Sequence, residues 1–153
     1  MTHLVTSEIR ATRPTSLRAA LMEDHRETHA AAMRVAQCFD ADDSHGALAE
    51  WPAFERGLLE HMNAEEMHVL PRFAEIDPDE ARALRDEHAV IRRELGDLGV
   101  ALELHVARKS TLDALVARVW RHAEREDELM YAWAERSLPE RVRDALLRRL
   151  GAR

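Results

Sequence analysis

The sequence predicts an all-α protein, an antiparallel up-down-up-down four-helix bundle with a short additional C-terminal helix. Glycine and proline are scarce, with five of each among 153 residues, so the chain has few places to turn. Aromatic residues make up only 5% of the chain, which argues against a β-sandwich or barrel. Four segments of about 23 to 30 residues space their apolar residues like a helix with one buried face. These segments are the predicted helices of the bundle.

The first half of the chain is expected to supply an N-terminal arm and two helices. The arm is polar, covers residues 1–13 and is expected to be flexible. The first helix runs from about residue 15 to residue 39 and ends at the turn-forming run DADDSHG. The second runs from about residue 51 to residue 73. Pro52 falls in its first turn, where a missing N–H costs nothing, and Pro71 is expected to end or bend it.

The second half supplies two long helices and a short one. The third helix begins after Asp77, a candidate N-cap, and continues to about residue 106. The fourth runs from Ser110, which forms a weak capping box with Asp113, to about residue 136. The short helix follows Pro139. The chain is therefore expected to have three parts: an arm over residues 1–13, a bundle over 14–136 and a C-terminal capping helix over 137–153.

Each long helix has a face that is expected to be buried in the core. The residues on these faces are Leu17, Leu21, Thr28, Ala32 and Val35 in the first helix; Trp51, Phe54, Leu58 and Val69 in the second; Leu84, Ile91, Leu95, Leu98 and Leu102 in the third; and Leu112, Leu115, Val119, Met130 and Trp133 in the fourth. Some apolar residues are also candidates for lining a ligand cavity, although core packing explains them as well: Phe54, Leu58, Met62 and Trp133.

Bulk charge and cysteine content exclude several classes of protein. The net charge is −7, and the 22 basic residues alternate with acidic ones, so no surface for nucleic acid is indicated. Cys38 is the only cysteine, which excludes an intramolecular disulfide. No apolar run reaches the roughly 18 residues that a membrane helix needs, and the N-terminus lacks the apolar core of a signal peptide. A cytoplasmic protein without a membrane segment is expected.

Six polar residues interrupt the apolar faces, and they form a repeat. At 100° per residue they point towards the core, and each copy reads His, a gap, then His-x-x-x-Glu. The first copy is His25, His61 and Glu65, and the second is His88, His122 and Glu126. Corresponding residues are 63, 61 and 61 positions apart. Such a duplication of polar core positions is difficult to obtain by chance.

The energetic cost of burial indicates what these residues do. A buried carboxylate without a partner costs several kcal/mol, and two in one core would also repel each other. A cation removes this penalty, and the His-x-x-x-Glu spacing lets both side chains reach one ion. Four imidazoles and two carboxylates without a thiolate suit iron, manganese or zinc. Two symmetric halves of a ligand set suit two ions bridged by the glutamates.

The residues of these motifs resemble the hemerythrin-like, or HHE cation-binding, domain family. The matching stretches are DHRETH at 24–29, HMNAEEMHVLP at 61–71, DEH at 86–88 and HAERED at 122–127. The resemblance covers roughly residues 17 to 133 and implies a four-helix bundle with a non-haem di-iron centre, oxo- or hydroxo-bridged, that has an open position for O₂ or a related small ligand. It also implies ligand roles: His25 and His61 for one iron, His88 and His122 for the other, and Glu65 and Glu126 as bridges.

The sequence departs from the oxygen-carrying members of that family at one ligand. Those members have a fifth histidine one turn after the ligand on the third helix, where this chain has Arg92. Here a histidine, His29, instead lies one turn after His25. Either His29 is an additional metal ligand, or the site has four histidines and a more open coordination. His68 also faces inwards and is a candidate either for support behind the ligands or for simple packing.

The expected function is binding of, or reaction with, O₂, peroxide or nitric oxide, in sensing, binding or detoxification. A di-iron enzyme of peroxidase, catalase-like or oxidase type and an iron storage or donation protein are the alternatives. No catalytic acid or base is assigned, so any turnover would be the chemistry of the metal. A ferritin-like oxidase is disfavoured, because that site needs two Glu-x-x-His motifs and only Glu65 with His68 fits. The protein partner is left open, as are monomer and homodimer.

Overall fold

The computed structural model describes residues 16–151, and these are helical without any β-strand, which confirms the predicted all-α class. The arm predicted for residues 1–13 lies outside the described residues. Within residues 16–151, no helix is both long and apolar enough to cross a membrane. The elements are α1 (Leu17–Asp40), α2 (Ser44–His68), α3 (Leu70–Phe73), α4 (Pro78–Glu103), α5 (Lys109–Glu126), a π-helical turn (Asp127–Tyr131), α6 (Ala132–Ser137) and α7 (Glu140–Leu150).

Helix α2 begins seven residues earlier than the sequence predicts. The Asp43 side chain accepts a hydrogen bond from the Gly46 N–H at 2.8 Å, so the helix begins at Ser44. Gly46 allows this close approach, because a Cβ there would lie 2.2 Å from the Asp43 carboxylate. Pro52 therefore lies inside the helix, and its predicted position in the first turn is wrong. The connection between α1 and α2 shortens to residues 41–43.

The sequence predicts the N-terminal cap of α4 correctly but not that of α5. The predicted cap of α4 is confirmed, since the Asp77 side chain accepts from the Glu80 N–H at 3.0 Å. The capping box predicted for α5 is wrong, because the cap position is Arg108 and no side chain bonds there. Asp113 instead pairs with Lys109 at 3.1 Å. The predicted fourth helix is also interrupted, since α5 ends at Glu126 and a π-helical turn follows.

The four long helices pack in a closed ring. Helix α1 contacts α2 and α5, and α4 contacts the same two helices from the opposite side. Helix α7 packs against α1 and α2. The predicted faces are buried, except that Val119 and Trp133 are only half-buried. The core has two apolar clusters, one containing Val35, Phe54 and Leu98 and the other containing Leu17, Phe73 and Leu84. On α1, α2 and α4, and where α5 meets the π-helical turn, a short polar segment lies between the two clusters.

Candidate metal centre

The polar segment contains two groups of potential ligands that share both glutamates. In each group, one ligand atom per residue lies within 4.8 Å of all the others. The first group is His25, His61, Glu65 and Glu126, and the second is Glu65, His88, His122 and Glu126. Five of these residues are buried, and the side chain of His25 is 12% exposed. The fold therefore brings all six sequence-predicted residues together.

The first group has the spacing of donors around a common ion. His25 Nε2 lies 2.8 Å from His61 Nε2 and 3.4 Å from Glu126 Oε2. His61 Nε2 lies 3.3 Å from Glu65 Oε1. Two donors at right angles, each about 2.1 Å from one ion, are about 3 Å apart. The observed distances fit that value.

The second group uses the other oxygen of each glutamate. His88 Nε2 lies 3.4 Å from Glu65 Oε2 and 3.2 Å from Glu126 Oε1. His122 Nε2 lies 2.8 Å from the same Glu126 oxygen. Each carboxylate thus directs one oxygen to the pair His25 and His61, and the other to the pair His88 and His122. Each glutamate could therefore supply a ligand atom to both groups.

Two atoms of the centre are buried without a hydrogen-bond partner among the described residues: Glu65 Oε2 and His122 Nε2. The close approach of His122 Nε2 to Glu126 does not have hydrogen-bond geometry. A buried polar atom without a partner costs free energy, and a cation would satisfy both atoms. The donors are nitrogen and oxygen atoms only, which suits a cation such as iron, manganese or zinc. The residues present therefore fit a metal site.

Without a cation, three of the histidines and the two glutamates shift one another's pKa values towards the charged forms. Burial lowers the pKa of His88, but the hydrogen bond to Glu126 and the negative charges of Glu65 and Glu126 dominate and raise that pKa to about 10. The pKa values of His61 and His122 are also raised, against burial, by the adjacent glutamates. The pKa of Glu126 is opposed by burial but is held well below its ordinary value by His122. Because a metal ion binds neutral imidazole, loading the centre would release the protons of these histidines.

A second set of carboxylates bonds to the ring nitrogens of the histidines that face away from the centre. Asp24 bonds to Nδ1 of His61, and Glu87 bonds to Nδ1 of His122 at 2.6 Å. Both pairs direct Nε2 to the centre, as partners of metal-ligating histidines commonly do. Sequence reasoning missed these acids, although the repeat contains a signal for them. Asp24 precedes His25 as Glu87 precedes the second-copy histidine, and the two acids are 63 residues apart.

His88 has a similar support that involves Arg92. The Nδ1 atom of His88 lies 2.9 Å from Glu66, and the Arg92 guanidinium donates to both oxygens of Glu66. Burial opposes the ionisation of Glu66, but the hydrogen bond from Arg92 keeps its pKa below the ordinary value. Arg92 therefore acts on His88 through Glu66 at the position where the oxygen carriers have a histidine ligand.

The two further histidines named from the sequence lie outside both groups. His29 packs its ring against Trp120, with ring centroids 5.0 Å apart. His68 is the last residue of α2, and its backbone carbonyl accepts from the side chain of Arg72 at 3.3 Å. Burial and the charges of Arg149 and Arg72 lower the pKa of His68. His68 belongs to neither group of potential ligands.

Tyr131 is a component of the centre that the sequence did not predict. It is fully buried, and its hydroxyl lies 3.1 Å from Nε2 of both His25 and His61. The hydroxyl also donates a short hydrogen bond to Glu65. Burial and the two glutamates raise the pKa of Tyr131 well above its ordinary value of 10. Without a cation this side chain is therefore a neutral hydrogen-bond donor.

A narrow apolar cleft approaches the centre between α1, α2 and α5. Its wall includes His25, His61 and His122. The cleft leaves about 20 Å³ for the centre of a water-sized molecule, which is room for about one. Phe54, Leu58 and Met62 line it as the sequence suggests, whereas Trp133 packs on Phe73. Trp120, which is 44% exposed, also lines the cleft.

Comparison with known proteins gives one match. A family model described as the hemerythrin HHE cation-binding domain matches residues 16–134, which include every residue of both groups. No curated protein and no solved structure gives a significant match to the chain.

Proposed function

The chain belongs to the hemerythrin HHE cation-binding domain family, and we propose that it is a non-haem di-iron protein that binds or reacts with O₂, peroxide or nitric oxide. One observation carries this proposal. Glu65 and Glu126 each present their two oxygens to different histidine pairs, as two ions with bridging carboxylates require. The family membership and the nitrogen and oxygen donor set support iron as the metal.

In this proposal the six repeat residues are the ligands. His25 and His61 hold one ion, His88 and His122 hold the other, and the two glutamates bridge them. The side chains of Asp24, Glu87 and Glu66 fix the ring orientation of three of these histidines. His29 is not assigned as a ligand, because its ring lies against Trp120.

The apolar cleft determines what reaches the ions. It has room for about one water-sized molecule and is lined largely by hydrocarbon side chains, which favours a small uncharged ligand. When bound, the irons supply redox chemistry and coordination positions that the protein leaves open. The protein contributes orientation of the ligands and restricted access of water. A mineral iron store would need far more space than this cleft offers.

We also propose that the long helices form the antiparallel up-down-up-down bundle expected from the sequence, over about residues 14–136, with α7 as a cap. The support is the order of interhelical contacts, in which residues early in one helix meet residues late in its neighbour. Such pairs are Asp24 with His61 and Arg34 with Glu50 between α1 and α2, and Glu80 with Arg125 and Glu94 with Arg118 between α4 and α5. In a bundle whose helices alternate in direction, all six ligands lie at the same height along the bundle axis.

The test is metal content. Protein purified from iron-replete cells should carry about two irons per chain. His61→Ala and Glu126→Ala should lose iron, because each removes a donor and leaves a buried partner without a counter-charge. His29→Ala is the matched control: it removes a half-buried histidine one turn from His25 and should retain iron. One zinc per chain, no metal, or full iron in both ligand variants would contradict the proposal.

A second measurement separates binding from turnover. Reduced, iron-loaded protein is mixed with O₂, nitric oxide or peroxide, and the visible spectrum and ligand consumption are followed together. A binding or sensing protein gives a reversible spectral change with no more than stoichiometric consumption. A peroxidase, catalase-like enzyme or oxidase consumes many equivalents per chain. No response to any of the three ligands would contradict the proposed function.

A further inference from the structure

The hydroxyl of Tyr131 occupies a position among the donors of the first group. Its oxygen is equidistant from His25 Nε2 and His61 Nε2, at 3.1 Å, and these two nitrogens are 2.8 Å apart. It also contacts Glu65 and lies 3.4 Å from Glu126 Oε2. These separations resemble the roughly 3 Å expected between donors to one ion. The hydroxyl therefore has the spacing of a ligand.

The π-helical turn accounts for this position. In an uninterrupted α-helix, Tyr131 would follow Glu126 by five residues and point about 140° away from it. A π-helical turn closes its hydrogen bonds over five residues instead of four, so residues five apart share a face. The turn spans Asp127–Tyr131 and begins directly after Glu126. It therefore turns Tyr131 towards the centre.

The tyrosine makes the two halves of the centre unequal. The residue that corresponds to Tyr131 in the first copy of the repeat, 61 positions earlier, is Leu70. Leu70 is fully buried in the apolar cluster that contains Leu17 and Leu84. No equivalent hydroxyl therefore reaches the pair His88 and His122 among the described residues.

We propose that Tyr131 is a seventh protein ligand, which binds as a phenolate to the ion held by His25 and His61. This inference rests on the proposed di-iron site. On binding, the O–H bond breaks, the proton leaves to solvent and the oxygen donates a lone pair to the ion, as ligand protons are released at other metal sites. The first ion then has five protein donor groups and the second has four. The ion held by His88 and His122 would therefore keep more coordination positions free for a small ligand than the ion held by His25 and His61.

The alternative is that Tyr131 remains a phenol and only donates a hydrogen bond to Glu65. The two roles differ in one spectroscopic property, since a phenolate bound to ferric iron gives a visible charge-transfer band and a phenol gives none. Tyr131 is the only tyrosine in the chain. Any phenolate signal from protein with a tyrosine-free tag therefore comes from this residue.

The experiment compares the visible absorption and resonance Raman spectra of ferric protein with those of Tyr131→Phe and Met130→Leu. Tyr131→Phe removes only the hydroxyl, and Met130→Leu is a control of similar volume at a buried neighbour in the same turn. The parent and Met130→Leu should show phenolate-to-iron bands and phenolate ring modes. Tyr131→Phe should lack both and release one of its two irons to a chelator at least about tenfold more readily.

A parent protein with two irons and no phenolate signal would overturn this inference while leaving the di-iron proposal intact. A parent protein without iron would instead remove the proposed function on which the inference depends. The spectrum of the parent alone decides between these results, so the test does not require Tyr131→Phe to fold.

Discussion

At the scale of single residues, the centre depends on side chains that hold the histidines as well as on the ligands. Glu87 links Nδ1 of His122 to the Arg125 guanidinium, and Asp24 holds His61 in the corresponding place. A histidine anchored at Nδ1 presents Nε2 in a fixed direction and is a more basic ligand. These carboxylates therefore determine both the orientation and the affinity of the donors.

Glu87→Gln should weaken metal binding by about 10- to 100-fold, because an amide is a poorer acceptor for the His122 N–H and carries no charge. The measurement is competition with a chelator of known affinity. Glu94→Gln is the control, since Glu94 lies seven residues further along α4 and pairs with Arg118 on α5 at 2.8 Å. Equal affinities in the two variants would show that Glu87 does not orient His122.

At the scale of elements, the ends of the helices fix where each ligand lies along the bundle. Helix α4 begins at a side-chain cap and contains His88 in its third turn. Helix α5 has no such cap, and its position depends on packing and on the pairs that Arg118 and Arg125 form with α4. Local sequence therefore places one of these helices, and tertiary contacts place the other.

Asp77→Ala should lower the free energy of unfolding by about 1 kcal/mol, because the Glu80 N–H loses its acceptor at the start of α4. Metal content should be unchanged, since the cap lies 11 residues before His88. Chemical denaturation with parallel metal analysis provides the measurement. The control is Asp79→Ala, two residues on, where the carboxylate pairs with Arg82 at the surface; it should change stability by less than about 0.5 kcal/mol.

At the scale of the whole molecule, a charged layer lies between two apolar clusters. In the metal-free chain, protonated His88 and the ionised Glu65 and Glu126 stabilise one another in that layer. A metal ion replaces the histidine protons with a charge that all the donors share. As the pH rises, the stability of the metal-free protein and the stabilisation that metal binding adds should therefore change in opposite directions.

The metal-free chain should lose stability between about pH 6.5 and pH 10. Below 6.5, His88 is protonated in both the folded and unfolded states, so its interaction with the glutamates contributes fully. Above 6.5 the unfolded chain loses this proton while the folded chain retains it to about pH 10, and the contribution declines across that range. Stabilisation by metal should rise over the same range, because ions bind neutral imidazole.

Thermal unfolding with and without a chelator, at pH values on both sides of this range, measures both effects. A metal-free chain that becomes more stable as the pH rises from 6.5 to 10 would show that His88 does not carry this charge.

The helical class, most of the buried faces and the six candidate ligands follow from the sequence alone. Each depends on a spacing of 100° per residue, which is a local property of a helix, and on a repeat visible along the chain. The start of α2 and the cap of α5 were predicted wrongly, because several neighbouring polar residues can cap a helix and the sequence does not show which of them does. The cap of α2 is Asp43, and the cap position of α5 is Arg108, where no side chain bonds. Only the tertiary structure decided that His29 lies against Trp120, that Asp24 and Glu87 hold ligands on neighbouring helices, and that Tyr131 reaches the centre. These contacts join residues far apart in the chain, and the π-helical turn that delivers Tyr131 breaks the very periodicity from which the other positions were predicted.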